Sequence, residues 1–413
     1  MDEHGGNIEQ ALKQYSLAEE AVIDFSANIN PLGIPYAVKR AVTKAMDSAH
    51  NYPECEYLEL RKDLAHFYGV KPQNLLVDNG SVSLIYLIPR ALGLRSALIP
   101  VPAFSEYEKA ARLSAGKVKF LKPKEDFSLD MDSLIKGLKG RDSLYLANPN
   151  NPTSLSVDKK DLLMVLKEAK KRGVTLILDE VFMEFSDSPR ENTLIGEAVK
   201  SENLIILRSM TKFFALAGLR LGAAIAHPKV IARLKKYQPP WPVNSLAVSA
   251  AREFLKDKKY IRDSYRLIQQ EKTFLYSELS AFKALKVWKP SANFILCQII
   301  PPPLTPPTRR PGHNVILSDS EGSRLLNYRR DSSVAEFTLS EANVLPQNDK
   351  MVILRDYDPV SRGGELRVFL AGKGILIRDC SNFRGLDVRF FRVAVRSRKE
   401  NLKLLSALKE VLG

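Results

Sequence analysis

Residues 203–222 read NLIILRSMTKFFALAGLRLG. From Leu204 to Leu207 the run is apolar without alternation, the pattern of a strand buried on both faces. It ends in Ser209-Met-Thr-Lys212, and Arg220 follows eight residues after the lysine. The same kind of run recurs as SALIPV from Ser96, KVKFL from Lys117, DSLYLAN from Asp142, VTLILDE from Val174 and LGAAIA from Leu221. Helical spacing precedes and separates these runs, at 36–48, at 56–68 and in GSVSLIYLIPRAL from Gly80. Buried strands alternating with helices predict an α/β fold with a mostly parallel sheet between helices. We place the large domain at 46–240. Residues 1–45 form an arm and part of a small α+β domain, completed by 241–300 and 365–413. The runs SANFILCQII and LRVFLAGKGILIRDC are expected to be strand-like elements of that small domain.

Residues 301–364 break the pattern. They open on PPPLTPPTRRP, with six prolines in eleven residues, and hold eight Lys/Arg against eight Asp/Glu. Proline density and Ser/Asp/Arg content read as a disordered or loop insertion.

Composition excludes several classes. With 413 residues, 45% hydrophobic and 26% charged, the chain is globular rather than disordered. No apolar run reaches the ~18 residues of a membrane span. MDEHGGNIEQALKQYSLAEE lacks the basic and apolar regions of a signal peptide, so a cytoplasmic enzyme is expected. Cys55, Cys297 and Cys380 form no CxxC and the five histidines no HExxH, so neither a disulfide framework nor a metal site is expected. The net charge of +15 sits on lysine-rich helical stretches such as KKDLLMVLKEAKKRG, with no nucleic-acid motif beside them. We read it as solvated surface, compatible with an anionic substrate.

The chemistry gathers at strand ends. A buried lysine such as Lys212 can form a Schiff base, because desolvation frees its amine as a nucleophile. Ser209 and Arg220 beside it suit a phosphate-bearing carbonyl cofactor, arginine matching phosphate with paired donors. Asp179 closes VTLILDE. It reads either as a turn residue or as the carboxylate that faces the ring nitrogen of pyridoxal phosphate. Asn151, in LYLANPNNPTS, is placed to donate to that cofactor's phenolic oxygen, or simply makes a turn. Gly80, Ser81 and Val82 open a helix after a strand, where backbone N–H groups cradle phosphate. Phe104 either stacks on a cofactor ring or packs in the core.

In this order, Gly80-Ser81, Phe104, Asn151, Asp179, Ser209, Lys212 and Arg220 resemble the fold-type I pyridoxal-phosphate enzymes, the aspartate aminotransferase superfamily. HGGN, DFSANINPLG, NYPE and IRDCSNFRGLDVRFFRVAVR look like the threonine-phosphate decarboxylases of cobalamin biosynthesis, close relatives of the histidinol-phosphate aminotransferases. The resemblance implies pyridoxal 5'-phosphate linked to Lys212, its ring nitrogen paired with Asp179 and its phenolic oxygen with Asn151. Ser81, Ser209 and Arg220 would hold its phosphate, and Tyr52 would reach the phosphate in the partner subunit of a homodimer. Arg392 with Asn28 would take the carboxylate of a phosphorylated amino acid, and His4, Arg378 and Arg384 are candidates for that substrate's phosphate. The chain departs from the family pattern at Ser83 (an acidic residue), Ser154 (a glycine) and Phe182 (a tyrosine). Two other classes stand against this. Ser209-x-x-Lys212 matches the serine-acylase SxxK pattern, but no KTG accompanies it. A basic, non-catalytic binding protein leaves Asp179 and Arg220 unexplained.

Overall fold

The computed structural model describes residues 5–15, 17–19, 22–114, 116–300, 314–319, 322–327 and 362–412, with side chains from 366 onward in the last stretch and backbone alone in 314–327. By contact, residues 1–300 with 358–413 form one compact unit and residues 301–357 another. In the second, Asn314–Asp319 pairs antiparallel with Gly322–Asn327. The other residues of the expected insertion, up to 361, lie outside the described residues.

The first unit is built on a seven-stranded sheet. Its strands are β1 (Leu75–Asp78), β2 (Ser96–Pro100), β3 (Lys117–Leu121), β4 (Ser143–Ala147), β5 (Thr175–Asp179), β6 (Leu204–Ser209) and β7 (Gly222–Ile225). Their spatial order is β1-β7-β6-β5-β4-β2-β3. The neighbours from β6 through β3 pair in parallel, and β7 is antiparallel to both of its neighbours. The expected α/β architecture is therefore found, with the LGAAIA run as the reversed strand. The unbroken apolar runs have a simple cause. Leu176, Leu178, Leu204 and Ile206 pack into one core, while Ile177, Ile205 and Leu207 pack into another on the opposite face. Each such side chain contributes roughly 1.5–3 kcal/mol on burial, and none can alternate with a polar residue.

A smaller antiparallel sheet comprises β8 (Leu285–Val287), β9 (Phe294–Ile299), β10 (Arg378–Asp379) and β11 (Phe390–Ala394), in the order β10-β11-β9-β8. Separately, Ile23–Asp24 pairs in parallel with Ile375–Leu376. One expectation needs correction here. LRVFLAG is not strand-like but the end of a helix, Arg362–Gly372. Leu366 and Leu370 are buried four residues apart while Val368 between them is exposed, so the period is that of a helix. Among the described residues no helix is long and apolar enough to cross a membrane.

Parallel strands deliver their carboxyl ends to one edge, where open α/β sheets bind ligands. Ala147, Asp179 and Ser209 are the last residues of β4, β5 and β6.

Candidate active site

At one side of this edge a cradle forms. β1 runs into helix α1 (Gly80–Leu92), which has no side-chain cap at its N-terminus. Gly80 has φ +75°, and a Cβ there would stand 2.5 Å from Nη2 of Arg220. A Cβ on Gly222 would stand 2.3 Å from the backbone nitrogen of Ser81. Any side chain at either position would therefore displace the turn or the guanidinium. Gly222 is also the cross-strand partner of Ser209. Ser81, Ser209 and Arg220 are thus brought together, with half-buried Val82 on the helix's first turn. Arg220 takes the left-handed region at φ +59°, and its Nη1 donates to the Ala217 carbonyl at 3.1 Å. A helix N-terminus, hydroxyls and an arginine form a donor set suited to a phosphate dianion.

Three residues beyond β6, Lys212 is half-buried. Burial, then the nearby Arg392 and Arg220, lowers its amine from 10.5 to about 8, against an opposing pull from Asp24. A larger share of the amine is therefore neutral, and nucleophilic, near neutral pH than for a solvated lysine. Covalent capture of an added aldehyde at Lys212, trapped with borohydride and read by peptide mass, should rise with pH through a midpoint near 8. A midpoint at the ordinary 10.5 would show that the surroundings do not act on it.

Asp179 is buried, and burial raises its carboxyl above the usual range. Two donors oppose this. Tyr107 donates to Oδ2 at 2.6 Å, and the Val181 N–H donates to Oδ1 at 3.0 Å. A cation brought beside this carboxylate would offset its desolvation further. Tyr107 was not among the residues read from the sequence. It lies on helix α2 (Ser105–Leu113), three residues past Phe104, and its ring stacks on Tyr145 at 5.6 Å. Phe104 itself is half-buried, edge-on to Tyr107 at 5.8 Å. Phe182, at the tyrosine position of the family pattern, is buried edge-on against Phe294 at 4.8 Å.

The third part joins the two sheets. Arg392 on β11 donates through Nη1 to Oδ1 of Asn151, and through Nη2 to the Ser26 carbonyl at 2.8 Å. Its Nε is buried without a partner, as is Oδ1 of the buried Asn28. Burial, with Arg378 opposite it in the strand ladder, brings Arg392 down to about 10 despite the raising influence of Cys380. An anionic group brought to this guanidinium would favour its charged form. Arg378 is buried, with Nη2 donating to Oδ1 of Asn382 at 2.9 Å.

Arg384 is engaged by an aromatic ring and a carboxylate. Its guanidinium lies 4.0 Å over the Phe120 ring and 3.3 Å from Glu108, in a cleft also lined by Phe104 and Asn382. Tyr52 is 79% exposed and stacks on Trp241 at 4.4 Å. His4 lies outside the described residues. Its neighbours dock on Ser26: the Gly6 N–H donates to the Ser26 hydroxyl at 2.8 Å, and a Cβ on Gly5 would stand 2.3 Å from the Ser26 carbonyl oxygen.

Two of the family departures have local explanations. Ser154 adopts φ +61° in place of a glycine, and its buried hydroxyl accepts the Ala292 N–H at 2.9 Å. That bond offsets part of the cost of a left-handed serine. Ser83 turns its hydroxyl onto the Asn79 carbonyl at 3.0 Å.

Behind the edge, Arg208 is buried between Glu180 at 2.7 Å and Glu184 at 2.8 Å, with Thr193 as a further acceptor at 2.9 Å. Glu180 and Arg208 adjoin Asp179 and Ser209 in sequence, so this cluster braces the ends of β5 and β6. Arg208→Ala leaves two buried carboxylates without their cation. It should destabilise the fold by about 3–5 kcal/mol in denaturant unfolding. A loss below about 1 kcal/mol would show that the pair adds nothing.

With this geometry established, known proteins can be compared. Residues 20–319 match the family described as aminotransferase class I and II. The threonine-phosphate decarboxylase of Salmonella typhimurium is 30% identical, over 99% of this chain and 96% of that protein. An adenosylcobalamin biosynthesis bifunctional protein of Leptospira interrogans is 29% identical over the whole chain, which spans 41% of that protein. The crystal structure of a histidinol-phosphate aminotransferase from Clostridium acetobutylicum superposes with a TM-score of 0.74 at 30% identity, covering 94% of this chain and 98% of that one.

Proposed function

Because the chain belongs to the aminotransferase class I and II family, whose members work with pyridoxal phosphate in a fold-type I scaffold, we propose that it decarboxylates L-threonine O-3-phosphate. The product is (R)-1-amino-2-propanol phosphate, and the setting is cobalamin biosynthesis in the cytoplasm. The observation that carries the reading is Arg392, buried beside the lysine with an unpartnered Nε and two fixed contacts, to Asn151 and to the Ser26 carbonyl. Similarity to the Salmonella decarboxylase over nearly the full length of both proteins supports the substrate.

The donor set fits the cofactor. Ser81, Ser209, Arg220 and the start of α1 would hold its phosphate, Asp179 its ring nitrogen, Asn151 its phenolic oxygen and Lys212 its aldehyde. Pyridoxal phosphate supplies an electron sink for charge developing at the substrate's α-carbon. The protein's own residues decide which bond is broken. Arg392 orients the carboxylate, and a second anchor on the substrate phosphate fixes the rest of the molecule. Held by these two anchors, the substrate would present its carboxylate, rather than its α-hydrogen, for loss. Lys212 returns a proton to the α-carbon. Asp179 would face the ring nitrogen, with Tyr107 and the Val181 N–H holding its orientation. Arg378 and His4 remain candidates for the substrate phosphate, and Arg384 would have to leave Glu108 to join them.

The exposed Tyr52–Trp241 stack suits a homodimer in which Tyr52 enters the partner's site, since large exposed aromatic surface marks an interface. A second reading, transamination of histidinol phosphate, draws on the Clostridium structure. Purified protein loaded with cofactor separates them. CO2 release from threonine phosphate, without amino transfer from histidinol phosphate to 2-oxoglutarate, is expected; the reverse result overturns the proposal.

A further inference from the structure

We propose that Asn30 is the positioning residue that sets where the Lys212 amine stands relative to the Arg392 guanidinium, by clamping two successive backbone carbonyls, those of Lys212 and Phe213. The inference rests on the reading of Lys212 as the residue that captures the cofactor. Asn30 is buried, and each of its side-chain polar atoms is used. Its backbone N–H donates to the Lys212 carbonyl at 3.1 Å. Its Nδ2 donates to the Phe213 carbonyl at 2.9 Å and to the Ser264 hydroxyl at 2.7 Å. Its Oδ1 accepts the Leu32 N–H at 3.1 Å. Ser264 is fully buried on the long helix Lys258–Ser280, and Tyr260 of that helix donates to the same Phe213 carbonyl at 3.3 Å.

Lys212 needs such a clamp because it lies beyond β6, outside the sheet's ladder. Locally its carbonyl also accepts the Ala215 N–H at 3.2 Å, within its own turn. Only Asn30 ties that turn to the segment that holds the arginine, among the hydrogen bonds of the described residues. Four residues before Asn30, the Ser26 carbonyl accepts from Arg392 at 2.8 Å. The stretch from Ser26 to Asn30 is thus a strut with the arginine at one end and the lysine's backbone at the other. Four residue steps span at most about 14 Å, which bounds the separation of the two anchors. A displacement of about 1 Å in a reacting group can cost on the order of 10²-fold in rate.

The test uses full-length protein loaded with pyridoxal phosphate, in wild-type form and as Asn30→Ala, Tyr260→Phe and Ser264→Ala. The pH titration of the visible absorbance is read together with kcat, KM for threonine phosphate and Tm. The charges acting on the Lys212 amine, Arg392, Arg220 and Asp24, are unaltered in all of these. Asn30→Ala is expected to displace the midpoint of the visible titration and lower kcat by about 10²-fold. Tyr260→Phe should move the midpoint in the same direction by less. Ser264→Ala, which spares the bond to Phe213, should lower Tm and leave midpoint and kcat within about twofold of wild type. The proposal is overturned if Asn30→Ala lowers Tm alone. Should Asn30→Ala fail to fold, Tyr260→Phe decides, and a wild-type titration in that variant overturns the clamp. Failure of the underlying reading shows separately, as a borohydride-stable cofactor label that survives Lys212→Ala.

Discussion

Lys212→Ala is expected to abolish the pH-dependent absorbance of the lysine–cofactor linkage and to lower turnover by about 10⁴-fold or more, the scale seen when a nucleophile that acts with its neighbours is removed. The cradle of Gly80, Ser81, Ser209 and Arg220 is untouched by that change. The variant should therefore still bind pyridoxal phosphate, without a covalent bond. Borohydride treatment followed by peptide mapping should label Lys212 in the wild type and no peptide in the variant. A borohydride label, or the pH-dependent band of the lysine linkage, that persists in Lys212→Ala would remove the lysine from its role.

Arg392→Ala has the next largest expected effect, and it falls on a different ligand. The guanidinium is buried, its Nε has no partner, and its other donors are committed to Asn151 and Ser26. Removing it takes away the cation that would hold the substrate carboxylate. A charge-assisted contact of this kind is worth about 2–5 kcal/mol when one partner is truncated. Substrate affinity should fall by about 30- to 4,000-fold, because each 1.4 kcal/mol is tenfold. Cofactor affinity should change by less than about tenfold, since the phosphate cradle lies at α1 and β7 rather than at β11. Equal losses for both ligands, measured by spectroscopic titration, would count against the assignment. Arg392→Lys should recover little, because a lysine cannot reproduce the planar fork that spans Asn151 and Ser26.

The Asp179 carboxylate illustrates how much of this site was legible. VTLILDE marks the end of a buried strand from its sequence alone, because a short, β-branched run without polar alternation that closes on acidic residues suits a strand covered on both faces. The pairing of Asp179 with Tyr107 was not legible. Helix α2 presents Tyr107 to β5 from 72 residues away in sequence. A tyrosine three residues after an aromatic carries no signal of its own. Asn30 was hidden in the same way inside DFSANINPLG, where its neighbour Asn28 drew the reading. The surroundings of Arg384 were hidden too. A basic residue in a motif does not disclose that Glu108 and the Phe120 ring will hold it. The misread helix at Arg362–Gly372 came from a short apolar run, for which a period of two and a period of 3.6 are hard to tell apart.

By itself the sequence determined the strand runs, the fold class and the identity of the chemical groups, because burial on two faces and the types of residue at strand ends are local properties of the chain. Only the tertiary structure decided which of those groups meet. Arg392 reaches Asn151 across 241 positions and Ser26 across 366. Contacts at such separations depend on how the two sheets pack and on which side chains the fold shields from water, and no local pattern encodes either.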